Sequence, residues 1–191
     1  MLNPFDNQNS DVIVIMTPEG EATGNRINLR TRTIILYSYI DEMVAVEISD
    51  VIETLDSSRD PINVKINSVG GIESAVQSIV TELLSANNEI LVDIVGEAYS
   101  GAAMIALTGD HIRMSSYGLF MLHYPSWETD SKTLKEHKLD VKVATEYFER
   151  MMKDLLSDTN ISIDEFRKLA KDDWYMTPKV CLKRGIINEI Y

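Results

Sequence analysis

Apolar positions follow two different periods along this chain. From Thr33 the run TIILY is apolar and β-branched, and the following IDEMVAVEISDVIETL sets Val44, Ile48, Val51, Ile52 and Leu55 at helical spacing. That pattern predicts a buried strand and then an amphipathic helix. The unit recurs. INVKI at Ile62 to Ile66 predicts a strand, NSVGG a tight turn, and Ile72, Ala75, Val76, Ile79, Val80, Leu83 and Leu84 one helix face. A third strand, ILVDIV at Ile90 to Val95, leads into GEAYSGAAMIALTGD, whose GAAMIAL predicts a buried helix, and HIRM and GLFML predict two further short strands. Strands alternating with helices imply an α/β layered domain, with parallel strands joined by helical crossovers.

The flanks differ. Residues 1–28 are polar and punctuated apart from VIVIM at Val12 to Met16, which predicts a strand or arm beside flexible loops and a mobile start. After Pro125 a longer amphipathic helix carries Ala144, Tyr147, Phe148, Met151, Met152, Leu155 and Leu156 as a packing stripe. SIDE at Ser162 to Glu165 has the form of a capping box and opens a short helix ending near Lys171. No solenoid repeat and no low-complexity linker interrupts the 191 residues, so the expectation is a single domain over 1–191.

Composition narrows the partners. Hydrophobic residues at 45% and charged residues at 25% are those of an ordinary globular protein. A formal charge of −12 argues against nucleic acid and anionic lipid, whose phosphates need clustered Lys and Arg. The one cysteine, Cys181, excludes an internal disulfide and fits a reducing compartment, with the cytoplasm as the default. The first residues lack a basic region followed by an apolar stretch, and no window reaches the roughly 18 apolar residues of a membrane helix. Neither export nor insertion is expected.

Chemistry must come from few residues. Ser100 stands between Tyr99 and Gly101 at the start of the buried helix, where a small residue either packs closely or reacts. A serine nucleophile needs a base, and only His111, His123 and His137 are available. His137 lies among Lys135, Glu136 and Lys138 on a solvated segment, and His111 ends a Gly-Asp turn. His123 sits where GLFML stops and YPSW begins, a strand end that either presents its ring to a cleft or caps a carbonyl. NSVGG brings backbone amides close to a helix start but lacks the Lys-Ser/Thr of a phosphate-binding loop.

Taken in order, INSVGG, GEAYS, LHYP and DWYMT resemble the motifs of the Clp protease proteolytic subunit (ClpP) family, from about Arg30 to the end. The resemblance implies a ClpP/crotonase-like spiral of β-β-α units, with a helical handle over about 126–158 and residues 1–28 as an arm or gate. It assigns Ser100 as nucleophile, His123 as general base, a buried Asp173 as the group orienting the histidine, and the amides of Gly71 and Gly101 as the oxyanion hole. No cofactor and no metal is implied.

Four departures stand out. Val69 replaces the family's proline, Gly101 its methionine, SWETDSKT at Ser126 to Thr133 its glycine-rich strand, and the family's YSRLL segment has no clear counterpart. The implied function is a serine endopeptidase that cleaves unfolded proteins inside a homo-oligomeric ring, single or double and heptameric, with an AAA+ unfoldase. An ATPase-independent phage prohead protease of the same type is the alternative. From another class come a crotonase-fold acyl-CoA enzyme and an inactive ring subunit.

Overall fold

A computed structural model of the chain describes residues 12–16, 22–126 and 133–191. The nine strands among the described residues form one sheet. The central strands are β3 (Thr33–Leu36), β4 (Ile62–Ser68), β5 (Ile90–Tyr99) and β6 (His111–Met114), paired in parallel in that order. Helices α1 (Glu42–Leu55), α2 (Glu73–Ser85) and α3 (Gly101–Ala106) make the connections, as the alternation of strand and helix patterns predicts.

α1 starts where the Asp41 side chain accepts from Val44 N, and it buries Val44, Ile48, Val51, Ile52 and Leu55. Each such side chain removed from water is worth roughly 1.5–3 kcal/mol, which is why this face and not helix propensity fixes the helix. β4 alternates, with Ile62, Val64, Ile66 and Ser68 buried and Lys65 and Asn67 exposed. The helices therefore cover one face of the sheet. The other carries polar groups such as Asp93 and Arg113, paired at 2.9 Å.

VIVIM forms the expected strand, and the start expected to be mobile lies outside the described residues. β1 (Val12–Met16) and β2 (Ala22–Asn28) pair antiparallel, and β2 continues onto β3. Ile27 is completely buried there, and the Asn25 side chain accepts from Tyr37 N and Ser38 N, so a polar-looking segment is held by backbone pairing and one buried amide.

β5 also runs four residues past the expected Val95, to Tyr99. Its first half pairs with β6 and its second with β7 (Leu119–Leu122). Between the halves the register with β4 shifts, from Ile66 opposite Ile94 to Ser68 opposite Ala98. The Asn67 side chain fills the gap, accepting from Glu97 N at 2.9 Å, and a Cβ on Gly96 would lie 2.3 Å from its Oδ1. Gly96 is thus required by close approach, and the irregularity turns the strand end toward the site.

α4 (Leu134–Leu155) opens with a complete capping box between Thr133 and Glu136, and residues 127–132 of the expected handle lie outside the described residues. The α4 stripe divides: Phe148, Met152 and Leu155 are buried, whereas Tyr147 is 54% exposed. α5 (Ile163–Leu169) has half of its expected capping box. The Ser162 hydroxyl accepts from Glu165 N, while the Glu165 carboxylate turns to Arg184 at 2.6 Å, an ion pair outcompeting the backbone amide. β8 (Trp174–Met176), α6 (Pro178–Arg184) and β9 (Glu189–Ile190) close the chain, with β8 antiparallel to β7 and β9 parallel to β6.

Candidate active site

The forked strand delivers the serine. β5 ends at Tyr99, and Ser100 adopts φ 53°, ψ −123° before α3 begins. A non-glycine residue in that region costs roughly 1–3 kcal/mol and persists only where its surroundings dictate it. Here they do: Ser100 N donates to Met121 O at 2.9 Å, fixing the elbow to β7. His123 follows β7 directly, and its Nε2 lies 2.7 Å from Ser100 Oγ.

The last register pair of β7 with β8 is Leu122 opposite Trp174, so the next pair outward is His123 and Asp173. Asp173 Oδ1 stands 3.5 Å from His123 Nδ1. Asp173, not its neighbour Asp172, faces the imidazole. The expected burial is corrected, since the Asp173 side chain is 55% exposed, just before the first residue of a three-residue strand. His111 begins β6 and His137 lies in α4; neither is bonded to Ser100.

The glycine turn closes on the same place. Gly70 has φ +92°, and a Cβ there would lie 2.7 Å from Tyr99 O and 2.8 Å from Gly101 N, so the loop touches the serine elbow through backbone alone. Buried Ser68 holds it, donating to Ser38 O and accepting from Gly70 N. Ile40 N donates to Gly70 O and Ile72 N to Ile40 O, which leaves the Gly71 amide between them without an acceptor among the described residues. Gly101 N, in the first turn of α3, is likewise free.

A hydroxyl against an imidazole, a carboxylate on the far ring nitrogen and two unbonded amides can together activate a nucleophile and hold an oxyanion. Among the described residues no group of three or more His, Cys, Asp and Glu could hold a metal ion, and no helix is long and apolar enough to cross a membrane.

The Clp protease family pattern matches residues 19–191. The chain belongs to the Clp protease family. It is a serine peptidase of that family. The ATP-dependent Clp protease proteolytic subunit of Streptococcus mutans is 28% identical over 190 residues, spanning 94% of this chain and 95% of its own. The counterpart in Streptococcus sanguinis is 24% identical over 193 residues, with the same coverage. A mutant of ClpP1 from Listeria monocytogenes shares the fold, with a TM-score of 0.74 at 24% identity over 85% of this chain and 92% of that one. The α/β fold expected from the family motifs is the one found.

Sequence reasoning gave no role to a network behind the histidine of this Clp protease. Tyr124 OH donates to Glu149 Oε1 at 2.6 Å, and Arg167 donates to Glu149 Oε2 at 2.7 Å. Tyr124 also packs on Phe148 and Phe166, so the residue after His123 is anchored to both α4 and α5. No local pattern signals the trio, because 25 residues separate Tyr124 from Glu149 and 18 separate Glu149 from Arg167.

Burial, reinforced by the Glu149 carboxylate, pushes the Tyr124 phenol up to about 12. An unfolded tyrosine loses its proton near ~10, so between ~10 and ~12 the folded state binds more protons and stability falls as pH rises. Urea midpoints measured across that window should decline in the natural chain and decline less in Tyr124→Phe.

Proposed function

We propose that this Clp protease family member is an endopeptidase in which Ser100 attacks the peptide carbonyl, with His123 as base and Asp173 orienting it. The observation that carries the reading is the 2.7 Å contact between Ser100 Oγ and His123 Nε2 at a strained elbow. Ser100 Oγ bonds to the carbonyl carbon while its proton passes to His123. The amides of Gly71 and Gly101 receive the oxyanion. The C–N bond then breaks as His123 returns the proton to the leaving amine, and water releases the acyl group by the reverse sequence.

The proposal extends to a homo-oligomeric ring supplied with unfolded chains by an AAA+ ATPase, since the curated relatives carry ATP dependence in their names. Apolar side chains left at the surface of a lone chain support self-association: Met43 and Val46 on α1 are 41% and 61% exposed, and Leu84 on α2 is 57% exposed. A neighbour covering Asp173 would also desolvate it and strengthen its hold on the imidazole.

Native mass spectrometry with a peptidase assay tests this. A closed oligomer that cleaves short peptides without ATP, and unfolded proteins only with an ATPase, is expected. A folded protein that cleaves nothing overturns it.

Asp173→Asn reverses the hydrogen bond that favours the Nδ1–H tautomer. A buried aspartate in this role is worth ~10⁴-fold in kcat; at 3.5 Å and half exposed, Asp173 should be worth roughly 10²-fold. Asp172→Asn, beside it but off the ring, should leave kcat close to that of the natural chain.

A further inference from the structure

The glycine loop is held from behind by the bend that follows β3. Register pairing of β2 with β3 ends at Arg26 opposite Ile35, and residues 37–40 then cross to the loop, where Ile40 bridges Gly71 in parallel. Ser38 O accepts from the Ser68 hydroxyl at 2.6 Å, Ile40 N donates to Gly70 O at 3.0 Å, and Ile40 O accepts from Ile72 N at 2.8 Å. The position of the free Gly71 amide is therefore set by residues 37–40.

One side chain holds that bend in turn. Asn25 is the next residue along β2 after the last register pair, and it is completely buried. Its Oδ1 accepts from Tyr37 N at 3.0 Å and from Ser38 N at 3.1 Å, and its Nδ2 donates to Tyr39 O at 2.9 Å. Three successive residues are thus bonded by one amide, which takes the place of the backbone ladder that the bend interrupts. The contact is close, since a Cβ on neighbouring Gly24 would lie 2.9 Å from Tyr37 O. Without Asn25 these backbone groups lose their partners, and the bend must shift to find others.

We propose that Asn25 is a positioning residue for the oxyanion-binding loop, acting through residues 37–40 on the Gly71 amide. The proposal rests on the reading of that amide as an oxyanion donor. Asn25 touches no reacting atom. Donors of this kind act within about 2.7–3.1 Å of the developing charge, so a small shift of the loop is enough to weaken one. The β1–β2 hairpin then serves transition-state stabilisation as well as extending the sheet.

Hydrolysis of a fluorogenic peptide amide by the full chain, normalised to the end-point of fluorophosphonate labelling, gives kcat per reactive serine. Asn25→Ala should lower it about 30-fold with KM within about twofold, less than the roughly 10²–10³ of a donor lost outright, because the amide is displaced and not removed. Asn25→Asp keeps the acceptor for Tyr37 N and Ser38 N and should recover part of the loss. Ile27→Ala opens a cavity in the same strand, opposite Ile34, and should lower the urea midpoint while leaving kcat per serine unchanged. Hydrogen exchange at residues 69–72, followed by mass spectrometry, should be faster in Asn25→Ala than in Ile27→Ala.

A loss carried by KM, an equal loss of kcat in Ile27→Ala, or unchanged kcat and exchange in Asn25→Ala overturns the proposal. Should the alanine variant not fold, the same comparison is made with Asn25→Asp, and kcat and exchange equal to those of the natural chain overturn it there. The two readings fail separately. Faster exchange with kcat intact removes the oxyanion role of Gly71 and leaves the linkage from Asn25 standing; if the natural chain takes no label, the exchange comparison decides the linkage by itself.

Discussion

Ser100→Ala will take up no fluorophosphonate, and its peptide hydrolysis will fall by roughly 10⁴–10⁶-fold, the loss expected when the nucleophile of a triad is removed. Among the described residues the hydroxyl makes one hydrogen bond, to His123 Nε2, and the elbow is held by the backbone bond to Met121 O, which alanine keeps. The variant should therefore match the natural protein in circular dichroism and in oligomer mass. Intact mass after labelling decides the matter. One adduct in the natural chain and none in the variant assigns the nucleophile; an adduct retained in the variant moves it to another residue.

Gly71→Ala will damage the fold as well as the chemistry. An added Cβ would sit 1.9 Å from Ile40 O and 2.6 Å from both Ile40 N and C, all of them backbone atoms that no rotamer change can move. The bridge must open, and with it go the bonds from Ile40 N to Gly70 O at 3.0 Å and from Ile72 N to Ile40 O at 2.8 Å. Two buried backbone pairs and the resulting strain should cost about 3–5 kcal/mol, at the upper end for one substitution. The urea midpoint should fall with little change in slope, and labelling of Ser100 should be lost even well below that midpoint. A midpoint within experimental error of the natural one would show that the loop can rearrange, and that the bridge to Ile40 does not define it.

Much of this arrangement was legible in the residues because it is local. The Ile48, Val51, Ile52 and Leu55 repeat predicts α1, and the alternation of INVKI predicts β4, since burial on one face is enough to set both periods. The Ser100 and His123 pair was legible through family motifs, and the structure brings the two into contact. Three features were not. The pairing of ATGNRIN with β3 depends on partners later in the chain and leaves no mark in the apolar pattern. The extension of β5 depends on Asn67 filling the gap beside Gly96. The exposure of Asp173 follows from the shortness of β8, which no residue type encodes.

The left-handed turn at Ser100 gives mutation a direction. Glycine occupies that conformation without the steric penalty that any side chain pays there, so replacing the serine by glycine relaxes the backbone while removing the hydroxyl. In this fold, silencing the site is therefore downhill in folding free energy. A duplicated copy released from selection for cleavage would gain stability by losing its serine, and would keep every surface with which it assembles. An inactive subunit built on this scaffold would need no compensating change at the turn.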